Sequence, residues 1–147
     1  MSRILALRLS ALGDVAMTVP VIHSLAESFP GSEVVVVSRE RWAALFANMP
    51  ANVRFYGIDL QEYGGLRGLE RLFGELRREG FDAVADFHNV LRTKYIDIRF
   101  RMAGVPVAVI NKGRREKREL TRLKHKRLVQ LKTSTERYAD VLARLGF

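Results

Sequence analysis

Apolar residues open the chain as an unbroken run, Ile4-Leu5-Ala6-Leu7, and then switch period. The run predicts a buried strand over residues 4–9, although six residues do not exclude a helix by periodicity. Val15, Val19, Ile22, Ala26 and Phe29 recur at helical spacing and predict a helix to about Ser28. Pro20 interrupts that pattern, so the helix is expected to begin near Met17 or to have a kinked opening turn. Pro30-Gly31 ends it, and four consecutive valines at 34–37 suit a strand covered on both faces. A short helix is expected over 40–47 and a third strand over 53–58. Leu66, Leu69, Leu72, Phe73 and Leu76 mark an amphipathic helix between Gly64-Gly65 and Gly80. A strand over 81–87, a helix over 91–102, a strand over 105–110 and a closing helix over 133–145 follow. Ser134 or Thr135 is the expected N-cap of that last helix, and Gly146 its stop. Strands alternating with helices predict a parallel α/β sheet with Rossmann-like winding, helices flanking it.

A length of 147 residues bounds this to one domain, and neither an internal repeat nor a low-complexity linker appears. No apolar stretch approaches the ~20 residues that span a bilayer. The start Met-Ser-Arg-Ile-Leu lacks the features of a secretory signal, and there is no cysteine. A cytoplasmic location is expected. Thiolate metal sites are excluded, and three histidines without ligand spacing predict no metal centre.

Charge changes the picture more than composition does. The net charge is +9, and residues 112–132 hold ten Lys or Arg against Glu116 and Glu119, which is +8. Such a segment favours an anionic partner: nucleic acid, an acidic membrane surface or a phosphorylated substrate. The plainer alternative is a solvated stretch that keeps the protein soluble. Nucleic acid is disfavoured because the segment holds no aromatic residue to stack bases.

Two places carry candidate chemistry. In the turn Ser10-Ala11-Leu12-Gly13-Asp14, one glycine permits a tight approach and one carboxylate stands at a helix mouth. Asp14 can cap the helix there or act as a base. The turn has neither Gly-x-Gly-x-x-Gly nor Gly-Lys-Ser/Thr, which argues against a dinucleotide enzyme and against a P-loop. The second place is Asp86 to Lys94. Asp86 is expected to hold a turn through backbone amides. His88 is either an ordinary loop histidine or a hydrogen-bonding partner for ligand. Arg92 suits forked recognition of carboxylate or phosphate, or is a surface charge like Lys94. Trp42 with Leu45 and Phe46 is expected to pack a short helix onto the sheet; the alternative is an aromatic platform for ligand.

The motif Arg8, Ser10, Leu12, Gly13, Asp14, Val15 and Pro20 resembles the N-terminal signature of the family 9 glycosyltransferases, the lipopolysaccharide heptosyltransferases. Residues 81–93, from Phe81-Asp82 through Asp86 to Arg92-Thr93, resemble a second family motif, and Thr135-Glu136-Arg137-Tyr138 with Leu142 and Leu145-Gly146 a third. His88 stands where glutamine is frequent, Asn89 replaces glycine and Thr93 replaces serine. The resemblance implies one half of a GT-B architecture: an N-terminal acceptor-binding domain, its nucleotide-sugar domain absent from this chain. It implies an inverting transfer with Asp14 as general base, and Ser10, Gly13, His88, Asn89, Arg92, Thr93 and Arg137 around the acceptor. No cofactor is implied beyond a nucleotide-sugar donor, ADP-heptose, as substrate. The implied acceptor is an anionic glycolipid core, toward which Arg114, Arg115, Lys117, Arg118 and Arg122 would steer. The same basic flank would hold the protein peripherally at the inner membrane. Without its donor half the chain is expected to be inactive alone. The alternative is a non-catalytic basic domain that binds anions or nucleic acid.

Overall fold

The computed structural model describes residues 2–112 and 133–147. Its elements, in order, are β1 (Arg3–Leu7), α1 (Leu12–Ser28), β2 (Glu33–Arg39), a 3-10 helix (Glu40–Phe46), β3 (Val53–Ile58), α2 (Gly65–Arg77), β4 (Ala83–Asp86), α3 (Leu91–Met102), β5 (Val107–Val109) and α4 (Ser134–Arg144). The sheet is wholly parallel in the order β3-β2-β1-β4-β5. This is the Rossmann-like α/β arrangement that the alternating pattern predicts.

Strand geometry sends successive side chains to opposite faces, and two apolar layers result. Ile4, Ala6, Val34, Val36, Ala85 and Phe87 meet Val15, Ile22 and Leu25 of α1 and Tyr138, Val141 and Leu142 of α4. On the other face Leu5, Leu7, Val35, Val37 and Val84 meet Leu72, Phe73 and Leu76 of α2 and Ile96 and Phe100 of α3. The valine run of β2 needs no polar alternation because both of its faces are covered. Trp42 packs against the first layer, and its indole N–H donates to the Leu9 carbonyl at 3.2 Å.

Three local expectations are corrected. Helix α1 begins at Leu12, not near Met17, and runs through Pro20. Pro20 is exposed, while Val15, Thr18, Ile22, Leu25 and Ala26 form the buried stripe, so sheet packing outweighs one missing hydrogen bond. The N-cap of α4 is Thr133, whose hydroxyl accepts from the Glu136 N–H at 3.2 Å, in place of Ser134 or Thr135. Strands β4 and β5 are shorter than the apolar runs that contain them, because the chain turns into the loops described below.

Gly68 shows how closely α2 seats on the preceding turn. A Cβ there would lie 2.2 Å from the Tyr63 carbonyl carbon. Gly68→Ala is expected to destabilise the fold by about 1–3 kcal/mol, although alanine is the better helix former. Urea unfolding checks this, and an unchanged midpoint would refute the close approach.

Candidate functional site

Strands β1 and β4 are neighbours, and the chain crosses over in opposite directions from them, so the switch point of the sheet lies between their ends. Leu7 pairs with Asp86 in register, which brings the two strands out of the sheet at one level. The segments that follow are tied together. Phe87 N–H donates to the Leu7 carbonyl at 2.9 Å, Arg8 Nη1 to the Phe87 carbonyl at 3.0 Å, and Leu9 N–H to His88 Nδ1 at 3.3 Å.

Asp86 does what its place at the strand end predicts. Fully buried, it accepts the N–H groups of His88 at 2.8 Å and Asn89 at 2.9 Å through Oδ1. Asn89 adopts a left-handed φ of 54°. Asparagine tolerates that conformation far better than most residues, which is the physical reason it can stand at a position where the resembled motif has glycine. Its side chain donates to the Ile110 carbonyl at 3.4 Å, and its own carbonyl accepts from Lys112 Nζ at 3.3 Å.

Asp14 is not a helix cap. Ala11 occupies the N-cap of α1 and offers no side-chain hydrogen bond. The Asp14 carboxylate turns instead to Arg8, with Oδ2 2.9 Å from Nη2, and half of its side chain is exposed. Its backbone carbonyl accepts from the Tyr138 hydroxyl at 3.1 Å, which ties α1 to α4 beside the site. Arg137 is buried and donates from Nη1 to the Asn111 carbonyl at 2.9 Å. Arg8, Asp14, Lys112, Arg137 and Tyr138, with Ile110 and Ser134, enclose an open cavity of about 320 Å³. Three cations around one carboxylate suit a ligand that brings both an anionic group and a hydroxyl.

His88 is buried beside this cavity without lining it. Burial first, then the charges of Arg8 and Lys112, pull its pKa down to about 4, against the opposing influence of Asp86 and Asp14. The ring is therefore neutral at physiological pH. Because Nδ1 accepts from Leu9, its proton sits on Nε2. Beneath the loop, Asp97 of α3 is also buried, its carboxyl close to that of Asp86 and both of its oxygens without a hydrogen-bond partner among the described residues. Burial, then the proximity and charge of Asp86, raise the Asp97 carboxyl far above the ordinary range, with Arg101 acting weakly against them. Asp97 keeps its proton because burial and the neighbouring carboxylate both disfavour its charged form.

The residues singled out from sequence separate here. Asp14 and Arg137 meet in the cavity. Ser10 is half-buried in the link from β1 to α1. Gly13 does not form the turn: it is the second residue of α1, with open space where a side chain would stand. Thr93 does not reach the cavity around Asp14 either. It is buried, accepts from the Val90 N–H at 3.0 Å and donates to the Val90 carbonyl at 3.1 Å, which closes the first turn of α3. Arg92 is exposed and borders a separate groove between α2 and α3. Arg114, Arg115, Lys117, Arg118 and Arg122 lie outside the described residues. Sequence reasoning passed over Arg8 and Asp97 as site residues. A cation directly after a strand that ends at the crevice was the available signal for Arg8. For Asp97 it was one acid on the buried stripe Thr93, Ile96, Asp97, Phe100. Among the described residues, no group of three His, Cys, Asp or Glu side chains could hold a metal. Nor is any described helix long and apolar enough to cross a membrane.

No protein-family model matches the chain, and no curated protein does. Solved structures do. A family 9 glycosyl transferase from Veillonella parvula superposes with a TM-score of 0.71 at 21% identity, over 99% of this chain and 42% of that one. The E. coli heptosyltransferase WaaC, solved with ADP-2-deoxy-2-fluoro heptose, gives 0.67 at 18% identity, over 99% of this chain and 49% of that one. A UGT transferase from Siraitia grosvenorii in complex with UDP gives 0.55 at 12% identity, over 74% and 27%. At these identities the likeness establishes a shared fold. The chain spans less than half the length of each of these proteins.

Proposed function

We propose that this domain is the acceptor-binding part of an inverting glycosyltransferase that moves a heptose-like sugar from a nucleotide donor, ADP-heptose, to an anionic glycolipid core. The observation that carries the reading is the Asp14 carboxylate, fixed by Arg8 at the sheet's switch point inside a cationic cavity. Arg8 engages Oδ2, and the other carboxylate oxygen accepts the proton of an acceptor hydroxyl. The hydroxyl oxygen then bonds to the anomeric carbon on the face opposite the diphosphate. The bond to diphosphate breaks with its electron pair leaving on that group, so the configuration inverts. One base suffices, and no covalent sugar–enzyme intermediate forms. Lys112 and Arg137 hold the anionic groups of the acceptor while the reacting hydroxyl faces Asp14. The donor is held by a second domain of the kind that the longer proteins of this fold have room for.

Binding tests this before turnover does. A deacylated, phosphorylated inner-core oligosaccharide titrated into the chain by calorimetry is expected to bind saturably. Arg137→Gln is expected to weaken it about tenfold or more, the size of one lost charged hydrogen bond. A single-stranded oligonucleotide is expected to bind no more tightly than it does to that variant. Failure of the oligosaccharide to bind, with tight oligonucleotide binding insensitive to Arg137, would overturn the reading.

A further inference from the structure

Helix α3 is apolar on two sides. Thr93, Ile96, Asp97 and Phe100 face the sheet. Leu91, Ile98 and Met102 recur along another stripe and are 85%, 54% and 71% exposed. Leu66, 71% exposed at the start of α2, borders the same surface. With Leu91, Tyr95 and Ile98 it lines a groove of about 890 Å³ between the two helices. A helix that needed only to cover the sheet would carry polar residues on its outer stripe. Contiguous exposed apolar side chains of this kind mark a surface that is covered in use.

The unpaired charges of the two helices are all cationic. Arg67, Arg92, Lys94 and Arg101 are exposed and make no ion pair among the described residues. The acids of the two helices are engaged within the fold: Glu70 with Arg99 and Tyr95, Glu75 with Tyr63, Tyr56 and Arg71, and Asp97 buried against Asp86. We infer that the α2–α3 face is a docking surface for an anionic lipid bilayer. Leu91, Ile98, Met102 and Leu66 enter the headgroup–acyl boundary, and the four cations lie among the acidic headgroups. Long Lys and Arg stems suit that boundary, since they extend apolar methylenes while the charge stays hydrated. A second copy of the chain would bring like charges together. An acidic protein partner would be expected to meet exposed Trp or Tyr anchors, and this stripe holds only Leu, Ile and Met. The inference does not depend on the sugar-transfer reading.

Cosedimentation of the chain with phosphatidylcholine vesicles, with and without phosphatidylglycerol, tests it. The chain is expected to pellet with the anionic vesicles only. The triple change Leu91→Ser, Ile98→Ser, Met102→Ser is expected to lower partitioning about tenfold or more while the thermal melt stays unchanged, because all three side chains are solvent-exposed. Should that variant fold poorly, Lys94→Glu with Arg101→Glu is expected to produce a similar loss. Both variants keep residues 112–132 intact. Undiminished vesicle binding by either folded variant would assign binding to that basic segment and overturn the inference. Equal binding to neutral vesicles would overturn it, as would no binding to anionic ones. A dimer that the triple change dissociates, or soluble polyglutamate bound as tightly as vesicles, would likewise overturn it in favour of another occupant.

Discussion

Under the proposed reaction, replacing Asp14 with asparagine is expected to lower the kcat of sugar transfer by about 10²–10⁴-fold, the usual contribution of a positioned general base. Asparagine matches aspartate in shape, and its amide cannot take a proton from the acceptor hydroxyl. The KM for acceptor is expected to change only a few-fold, because Lys112 and Arg137 remain in the cavity. Stability is expected to change by about 1 kcal/mol at most, since the ion pair with Arg8 is half exposed on the Asp14 side. The measurement is steady-state transfer from ADP-heptose to an inner-core acceptor by the gene product that carries these residues, with melts of both forms. An Asp14→Asn protein that turns over within threefold of the parent would remove Asp14 from the chemistry.

The second large effect concerns pH and the buried pair beneath the loop. In the folded protein Asp97 keeps its proton well above the ordinary carboxylate range, whereas in the unfolded chain it ionises near pH 4. Between those limits the folded state binds more protons than the unfolded state, so stability falls as pH rises, by about 1.4 kcal/mol per pH unit. His88 works the other way. Its folded pKa of about 4 lies below the ordinary 6.5 of a histidine, so the unfolded state binds more protons across that window and stability rises with pH there. The two slopes oppose each other from about pH 4 to 6.5, and above that only the Asp97 slope remains. Asp97→Asn removes that slope and keeps a donor toward Asp86. Its thermal midpoint is therefore expected to exceed the parent's by a margin that grows from pH 5 to pH 8. A margin independent of pH would show that Asp97 is ionised in the folded state.

These two expectations differ in how far each was legible beforehand. Asp14 stands out in one dimension because a strand, a glycine and a carboxylate follow one another. The role of Asp97 depends on Asp86, eleven positions earlier in the chain and on a different element, so no local pattern announces their contact. Arg8 and Asp14 are close in sequence, yet the ion pair exists because α1 starts at Leu12 and leaves Asp14 free of capping. Thr93 illustrates the reverse case. Its hydroxyl resembles a ligand group in the sequence motif, and the fold uses it to close a helix turn.

Hydrophobic period together with the proline and glycine breaks pointed to the α/β class, the strand and helix order and a parallel sheet, since burial of apolar faces is a property of short windows. It also located both loops that carry the site, because strand ends and glycine or asparagine turns are local. Tertiary structure decided the rest: which strands are neighbours, that Arg137 from the end of the chain joins Arg8 and Asp14, and that Arg92 faces a different groove. It also decided the protonation of His88 and Asp97. Desolvation and charge act through space, and proximity between residues far apart in the chain arises only when the sheet has assembled.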